Sequence, residues 1–212
     1  HNRAQTAAAD RHGLAVQTGG VGKLDDLEWF QAETRQEWRA WLAENHATSP
    51  GIWLVTWKKS SGKPVLDYDE KVEEALAWGW IDTKGMSVDD ERTRLVMCPR
   101  RPGSGWSRPN KERILRLEEQ GLMQPAGRAV IDAAKADGSW TLLDDVEDLI
   151  VPPDLAEAFD RRPGSRAQWD GFGKSPRKAM LTWLVTAKRP ETRAARVEKI
   201  AAEAAEGRQA VG

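Results

Sequence analysis

Cysteine is nearly absent from this sequence: Cys98 stands alone among 212 residues. Intramolecular disulfides and cysteine-pair metal sites are therefore excluded. A lone thiol suits a reducing cytosol, so a cytoplasmic location is the expectation. Histidine is scarce as well. His1 and His12 fall in an N-terminal stretch that reads as a tail, which leaves His46 as the one histidine of the folded part. A histidine-rich metal centre is therefore not expected, and a Ser-His-Asp triad would have to use His46, for which nothing local argues. No apolar run approaches the roughly 18 residues that a helical bilayer crossing needs. No apolar stretch follows a basic start, as it would in a secretory signal. Net charge is −1 and the sequence pI is near 6.4. The broad basic field of a nucleic-acid binder is missing, although a local patch is compatible with these figures. The patterns GxSxG, GxxxxGK[ST], GxGxxG and HExxH are all absent, and with them the usual hydrolase, P-loop, dinucleotide and zinc-protease signatures. No cofactor and no metal is expected.

What is present can build a core. Hydrophobic residues make up 40% and charged residues 31%, as in an ordinary globular chain of one domain, or one domain with a small appendage. The unusual feature is 11 tryptophans against one tyrosine and three phenylalanines. Tryptophan brings a large apolar area and an N–H that needs a partner. Most of these rings are expected in the core, with some free to line an aromatic ligand pocket.

The pattern divides the chain into a flexible N-terminal tail (1–23), an α+β domain (24–145) and a C-terminal helical module (146–212), expected to pack on the first. Thr34 and Glu37 have capping-box spacing, and Trp38, Trp41 and Leu42 then share a helical face. Ile52 to Trp57 is apolar on both faces, as in a strand buried on both sides. Asp67 and Glu70 open a second helix, which Gly79 can end in a left-handed conformation. Trp80-Ile81-Asp82 reads as a short strand, 83–91 as a polar loop and Arg92 to Cys98 as a half-exposed strand. About three strands make a small, mainly antiparallel sheet. Pro109 suits the first turn of a helix that ends at Gly121, with Leu122 packing back on Leu117. Helices follow over 125–136, 153–161, 164–171, 176–188 and 190–206, with 146–153 as a connection.

Several blocks carry a family resemblance. Val151-Pro152-Pro153-Asp154-Leu155, Ser175-Pro176-Arg177-Lys178, Trp183, Ala187-Lys188-Arg189-Pro190-Glu191-Thr192-Arg193 and Arg196 resemble the C-terminal module of YdeI/OmpD-associated proteins. Upstream, Ala75-Leu76-Ala77-Trp78-Gly79-Trp80-Ile81-Asp82 is similar to that family, as are Pro99-Arg100-Arg101-Pro102, Ser104, Trp106-Ser107, Asn110 and Gly121-Leu122-Met123. The blocks stand in the right order over about 30–206; one departure is Arg101-Pro102-Gly103, where a second basic residue is expected further along. The resemblance implies a bacteriocin-protection label rather than a defined reaction.

Three constellations could carry chemistry. Arg94, Arg100, Arg101, Ser104, Trp106, Ser107, Asn110, Lys111 and Arg113 combine guanidinium forks, neutral donors, a stacking ring and a helix N-terminus, the ingredients of an anion pocket. The same arginines could instead pair with Asp82, Asp89, Asp90 or Glu91 and pin the loop. In Trp78-Gly79-Trp80-Ile81-Asp82, Trp80 is a candidate ligand contact. Asp82 would anchor Arg94 or Arg100, or act as a general base. Lys188, Arg193 and Arg196 could join the loop in one composite site or form an ordinary capped helix junction. Cys98 reads as a buried, inert thiol.

The leading expectation is a binding or protective protein that recognises an anionic small molecule or antimicrobial through Trp80, Arg94, Arg100, Ser104, Trp106, Ser107, Asn110, Arg113, Lys188 and Arg193. The alternatives are a metal-free enzyme with Asp82 as base and Arg94 and Arg100 as clamps, and a protein-interaction module of exposed tryptophans and C-terminal helices. Nucleic acid is disfavoured by the charge balance.

Overall fold

Two reciprocal capping boxes start the first long helices. The Thr34 hydroxyl accepts the Glu37 N–H at 3.2 Å and the Glu37 carboxylate accepts the Thr34 N–H at 3.3 Å, opening α1 (Arg35–Asn45). Asp67 and Glu70 do the same for α2 (Tyr68–Ala77). The computed structural model describes residues 24–210, so the tail expected over 1–23 lies outside the described residues.

The strands are β1 (Trp29–Gln31), β2 (Ile52–Trp57), β3 (Trp80–Ser87) and β4 (Arg92–Pro99), in the order β1-β2-β4-β3. β2, β4 and β3 pair antiparallel and β1 joins β2 in parallel, so the fold is α+β with a mainly antiparallel sheet. Two features differ from the sequence expectation. β1 is a fourth strand, too short at three residues to show an alternation; it is held by the edge that β2 offers, through Ala32 N–H to Val55 O (3.1 Å) and Trp53 N–H to Glu28 O (2.8 Å). β3 runs on to Ser87 through a polar, exposed stretch that was expected to be loop, because β4 supplies a partner beyond a bulge between Asp82 and Gly85.

α2 sits between two layers. One side packs with α1 on the sheet, where Ala75 meets Trp38, Leu42, Ile52, Leu54, Trp80 and Met97. The other side, Val72, Leu76 and Ala77, meets α3 (Arg108–Glu119) and α4 (Pro125–Asp137) through Trp106, Ile114, Leu117 and Ile131. α3 ends as its sequence suggests: Leu122 N–H reaches Leu117 O (2.9 Å) and Gly121 N–H reaches Glu118 O (3.1 Å), with Gly121 at φ 67°. Beyond them, α5 (Asp144–Glu147) forms a short turn of helix where a plain connection was expected from 146. Its Val146 joins the core of α6 (Pro153–Asp160), α7 (Ser165–Gly171), α8 (Lys174–Val185) and α9 (Pro190–Ala205).

Being covered on both sides, α2 also buries charge. Glu74 accepts Arg39 Nε and Nη2 at 2.9 and 2.6 Å and bonds Arg35 as well. Glu73 accepts Arg116 Nε and Nη2 at 3.1 and 2.8 Å. Lys71 is left with a neutral acceptor, Thr56 Oγ1 at 3.1 Å, and burial pushes its amine below the ordinary lysine range.

α2 and α4 touch backbone to backbone. Gln124 N–H bonds Ala77 O (3.1 Å), and a Cβ on Gly127 would stand 2.2 Å from that same carbonyl oxygen. In an exposed helix interior, Gly to Ala gains about 1 kcal/mol. Here the overlap decides the sign, because neither backbone can yield without moving a helix. Gly127→Ala is expected to lower stability by about 1–3 kcal/mol, read as a lower midpoint in thermal or denaturant unfolding; an unchanged or raised midpoint contradicts the close contact.

Candidate functional site

The loop between β4 and α3 begins at the corner where α2 turns into β3. Gly79, at φ 77°, accepts the Arg100 N–H on its carbonyl at 2.9 Å. The Arg100 side chain then folds inward to 9% exposure and lies over the Trp106 ring, 3.7 Å from guanidinium carbon to centroid. One Nη2 bond goes to Gly105 O, while Nε is buried with no hydrogen-bond partner among the described residues. Burial pushes the Arg100 pKa down to about 10, with the Asp82 carboxylate acting in the opposite direction.

Under this loop lies a pocket of about 70 Å³. Arg100, Arg101, Ser104 and Trp106 form one wall, and Val130, Ala133 and Ala134 of α4 form the other. The C-terminal end of α4 closes it with Asp137 and Ser139. Gly138, at φ 81°, turns the chain so that Ser139 N–H returns to Asp137 Oδ1 at 2.8 Å. Asp137 is held below the usual carboxylate range, first by Ser139 and with help from the Gly103 backbone N–H. The Ser139 hydroxyl is near that carboxylate but meets hydrogen-bond geometry with no group among the described residues, and the residue is only 5% exposed. Ser139 and Asp137 were not singled out from the sequence. The only cue there was the Asp-Gly-Ser turn, which is ordinary at a helix end.

The other sequence candidates are dispersed. Trp80 is a core residue whose indole N–H donates to His46 O at 3.1 Å. Arg94 leaves the loop altogether: it lies on the far side of β4, 4.4 Å from the Trp29 ring and 4.0 Å from the Trp53 ring. Asp82 anchors neither Arg94 nor Arg100 by a salt bridge; its Oδ2 accepts the Tyr68 hydroxyl at 2.9 Å. The tyrosine pKa rises to about 12, through burial first and the Asp82 bond second. Arg113 belongs to this second cluster. It pairs with Asp69 at 2.5 Å, bonds Asn110 Oδ1 at 2.9 Å and faces the Tyr68 ring. Ser104 turns its hydroxyl to Arg101 O at 2.7 Å. Cys98 is buried and its thiol is pushed up by desolvation.

The N-terminus of α3 holds a carboxylate from its own chain. Ser107 occupies the cap position without a side-chain cap bond, and the Arg108 N–H donates to Glu147 Oε1 at 3.3 Å. Glu147 also accepts Lys178 from α8, while Arg108 pairs with Asp148 (2.7 Å) and Lys111 with Asp144. In the C-terminal helices, Arg193 forks onto Asp154 at 2.7 and 3.0 Å, Arg196 bonds Trp183 O and Lys188 is exposed. No residue of 188–196 lines the pocket under the 100–106 loop.

Among the described residues, no group of three or more His, Cys, Asp or Glu side chains could hold a metal ion, and no helix is long and apolar enough to cross a membrane.

Glu147 generates a pH prediction. Its carboxyl is held low, first by the Lys178 hydrogen bond and further by Arg108. A carboxylate with a depressed folded pKa contributes stability above its unfolded value, near 4.3, and loses it as pH falls through the folded value. Glu147→Gln is expected to cost about 1–3 kcal/mol at pH 7. The gap in melting temperature between wild type and variant should narrow as the pH approaches 3; a gap independent of pH would show that the charge is not what matters.

Residues 30–130 match the model of a domain of unknown function (DUF8412), and the blocks at 75–82 and 99–123 fall within that span. Residues 148–207 match the family model Bacteriocin-protection, YdeI or OmpD-Associated. No curated protein and no solved structure matches the chain. Most of the buried Val146–Ala210 core therefore lies in the segment, residues 148–207, that is similar to the YdeI/OmpD-associated family.

Proposed function

We propose that this chain is a binding protein in a bacteriocin-protection-related role, and that it receives the anionic end of a small molecule or antimicrobial in the pocket under the 100–106 loop. The family match of 148–207 supports the role in its coarse form. One observation carries the finer reading. Arg100 is buried to 9% exposure, faces no carboxylate within salt-bridge distance among the described residues, keeps Nε unsatisfied and lines a pocket. A buried cation with an unused donor costs free energy unless something else meets it, and an anionic ligand would supply that partner.

Binding is favoured over turnover by the placement of the other charges. A catalytic reading needs Asp82, Arg94 and Arg100 around one substrate. Arg94 lies instead against Trp29 and Trp53, and the Asp82 carboxylate is engaged by Tyr68.

The test is a thermal-shift screen of wild type and Arg100→Ala against carboxylates, phosphorylated metabolites and antimicrobials. A ligand that binds only the native state raises the melting temperature; at a hundred times Kd it adds about 2.7 kcal/mol. The expected result is a rise for one chemical class that falls by about tenfold to a hundredfold in apparent affinity in a still-folded Arg100→Ala. An equal rise in both proteins places the ligand elsewhere, and no rise across the three classes overturns the small-anion reading.

A further inference from the structure

We infer that the group received beside Arg100 is a compact carboxylate with a hydrogen-bond donor on the adjacent carbon, the end of an α-hydroxy or α-amino acid, in preference to a phosphate. This rests on the pocket reading given above and adds the chemical class.

Size sets the first limit. About 70 Å³ corresponds to roughly five water-sized spheres. That is room for one small polar group and a short apolar stub, and it admits a phosphate equally well.

Charge separates the two. Arg100 borders the pocket with a buried Nε that has no hydrogen-bond partner among the described residues, whereas the Ser139 hydroxyl lies against Asp137. The pocket also presents an ionised acceptor, because Asp137 lines it. A monocarboxylate places its single charge against the guanidinium, and a hydroxyl or ammonium on the next carbon can donate to Asp137. A phosphate dianion brings a second negative charge beside the Asp137 carboxylate at the rim, and like charges repel. Val130, Ala133 and Ala134 provide apolar contact for a short side chain on the same carbon.

The distinction is measurable by titration calorimetry on the full chain with glycolate, glycine, acetate and inorganic phosphate. Glycolate or glycine is expected to bind at least tenfold more tightly than acetate or phosphate, and the comparison of the two tells whether the donor is a hydroxyl or an ammonium. Asp137 is exposed at the rim, so Asp137→Asn leaves the core untouched. That variant should erase the margin over acetate and improve phosphate binding severalfold. Acetate binding as tightly as glycolate and glycine, or phosphate binding most tightly to the wild type, overturns this inference while the Arg100 pocket stands. Heat for none of the four probes overturns it as well. Heat for glycolate that is unchanged in Arg100→Lys overturns the pocket reading itself.

Discussion

The buried charge of α2 is the constraint on which the remainder of the N-terminal segment depends. Residues Lys71 to Ala77 are all buried, so beyond its first turn this helix has no solvated face on which to place Lys71, Glu73 and Glu74. Desolvating an ion costs several kcal/mol unless a partner and further hydrogen bonds are supplied. Arg35 and Arg39 of α1 and Arg116 of α3 supply them, which fixes how both helices lie against α2. Replacing the set with apolar residues could be neutral, but removing one member would strand a charge in the core. The ion pairs thus define the arrangement more than they stabilise it. The close approach follows from the same burial: α4 can reach the Ala77 carbonyl only because residue 127 lacks a Cβ. α4 in turn forms the apolar wall of the pocket, and Gly79 O at the end of α2 holds the Arg100 backbone. The site is downstream of one helix.

The junction between the two family-matched segments uses a different device. Glu147 lies in neither match and touches both, accepting the α3 N-terminus on one side and Lys178 on the other. A helix N-terminus attracts anions from any source. In the sequence, the Ser107–Lys111 stretch has the character of a ligand site; in the fold, Glu147, Asp148 and Asp144 already meet its charges. The same holds for Arg193, which Asp154 engages from the first turn of α6. Intramolecular carboxylates at high effective concentration compete with any soluble anion.

What was legible in the sequence was local. The capping boxes at Thr34 and Asp67, the left-handed Gly79 and the Gly121 motif are each set by a few adjacent residues, and each appears as read. β1 was not legible, because a three-residue strand exists only by virtue of its neighbour. The extension of β3 was hidden for the same reason: Thr83 to Ser87 is polar, and pairing with β4 overrides its propensity. In the site, Arg100, Ser104 and Trp106 were readable as one loop, since they lie within seven residues of chain. Asp137 and Ser139 were not, because only the packing of α4 on α2 brings them to that loop.

Arginine shows why composition alone misplaces a site. A guanidinium has three ways to be satisfied: a carboxylate, a carbonyl or the face of an aromatic ring. Arg113, Arg116 and Arg193 take carboxylates, Arg196 takes a carbonyl and Arg94 takes two indoles. The eleven tryptophans matter here, since each exposed ring face can absorb a cation that would otherwise be read as available. Arg94 also has an unpartnered Nε, but two indole faces bracket it and it lines none of the pocket under the loop. Arg100 uses the aromatic and carbonyl modes together, leaves a buried Nε unmet and borders a pocket. The Trp106 ring holds the planar group in place, so Arg100 keeps little side-chain freedom to lose in a further contact. A preset, desolvated cation distinguishes anions by charge and shape better than a solvated arginine does, which is the ground on which the proposed anion site is placed at Arg100.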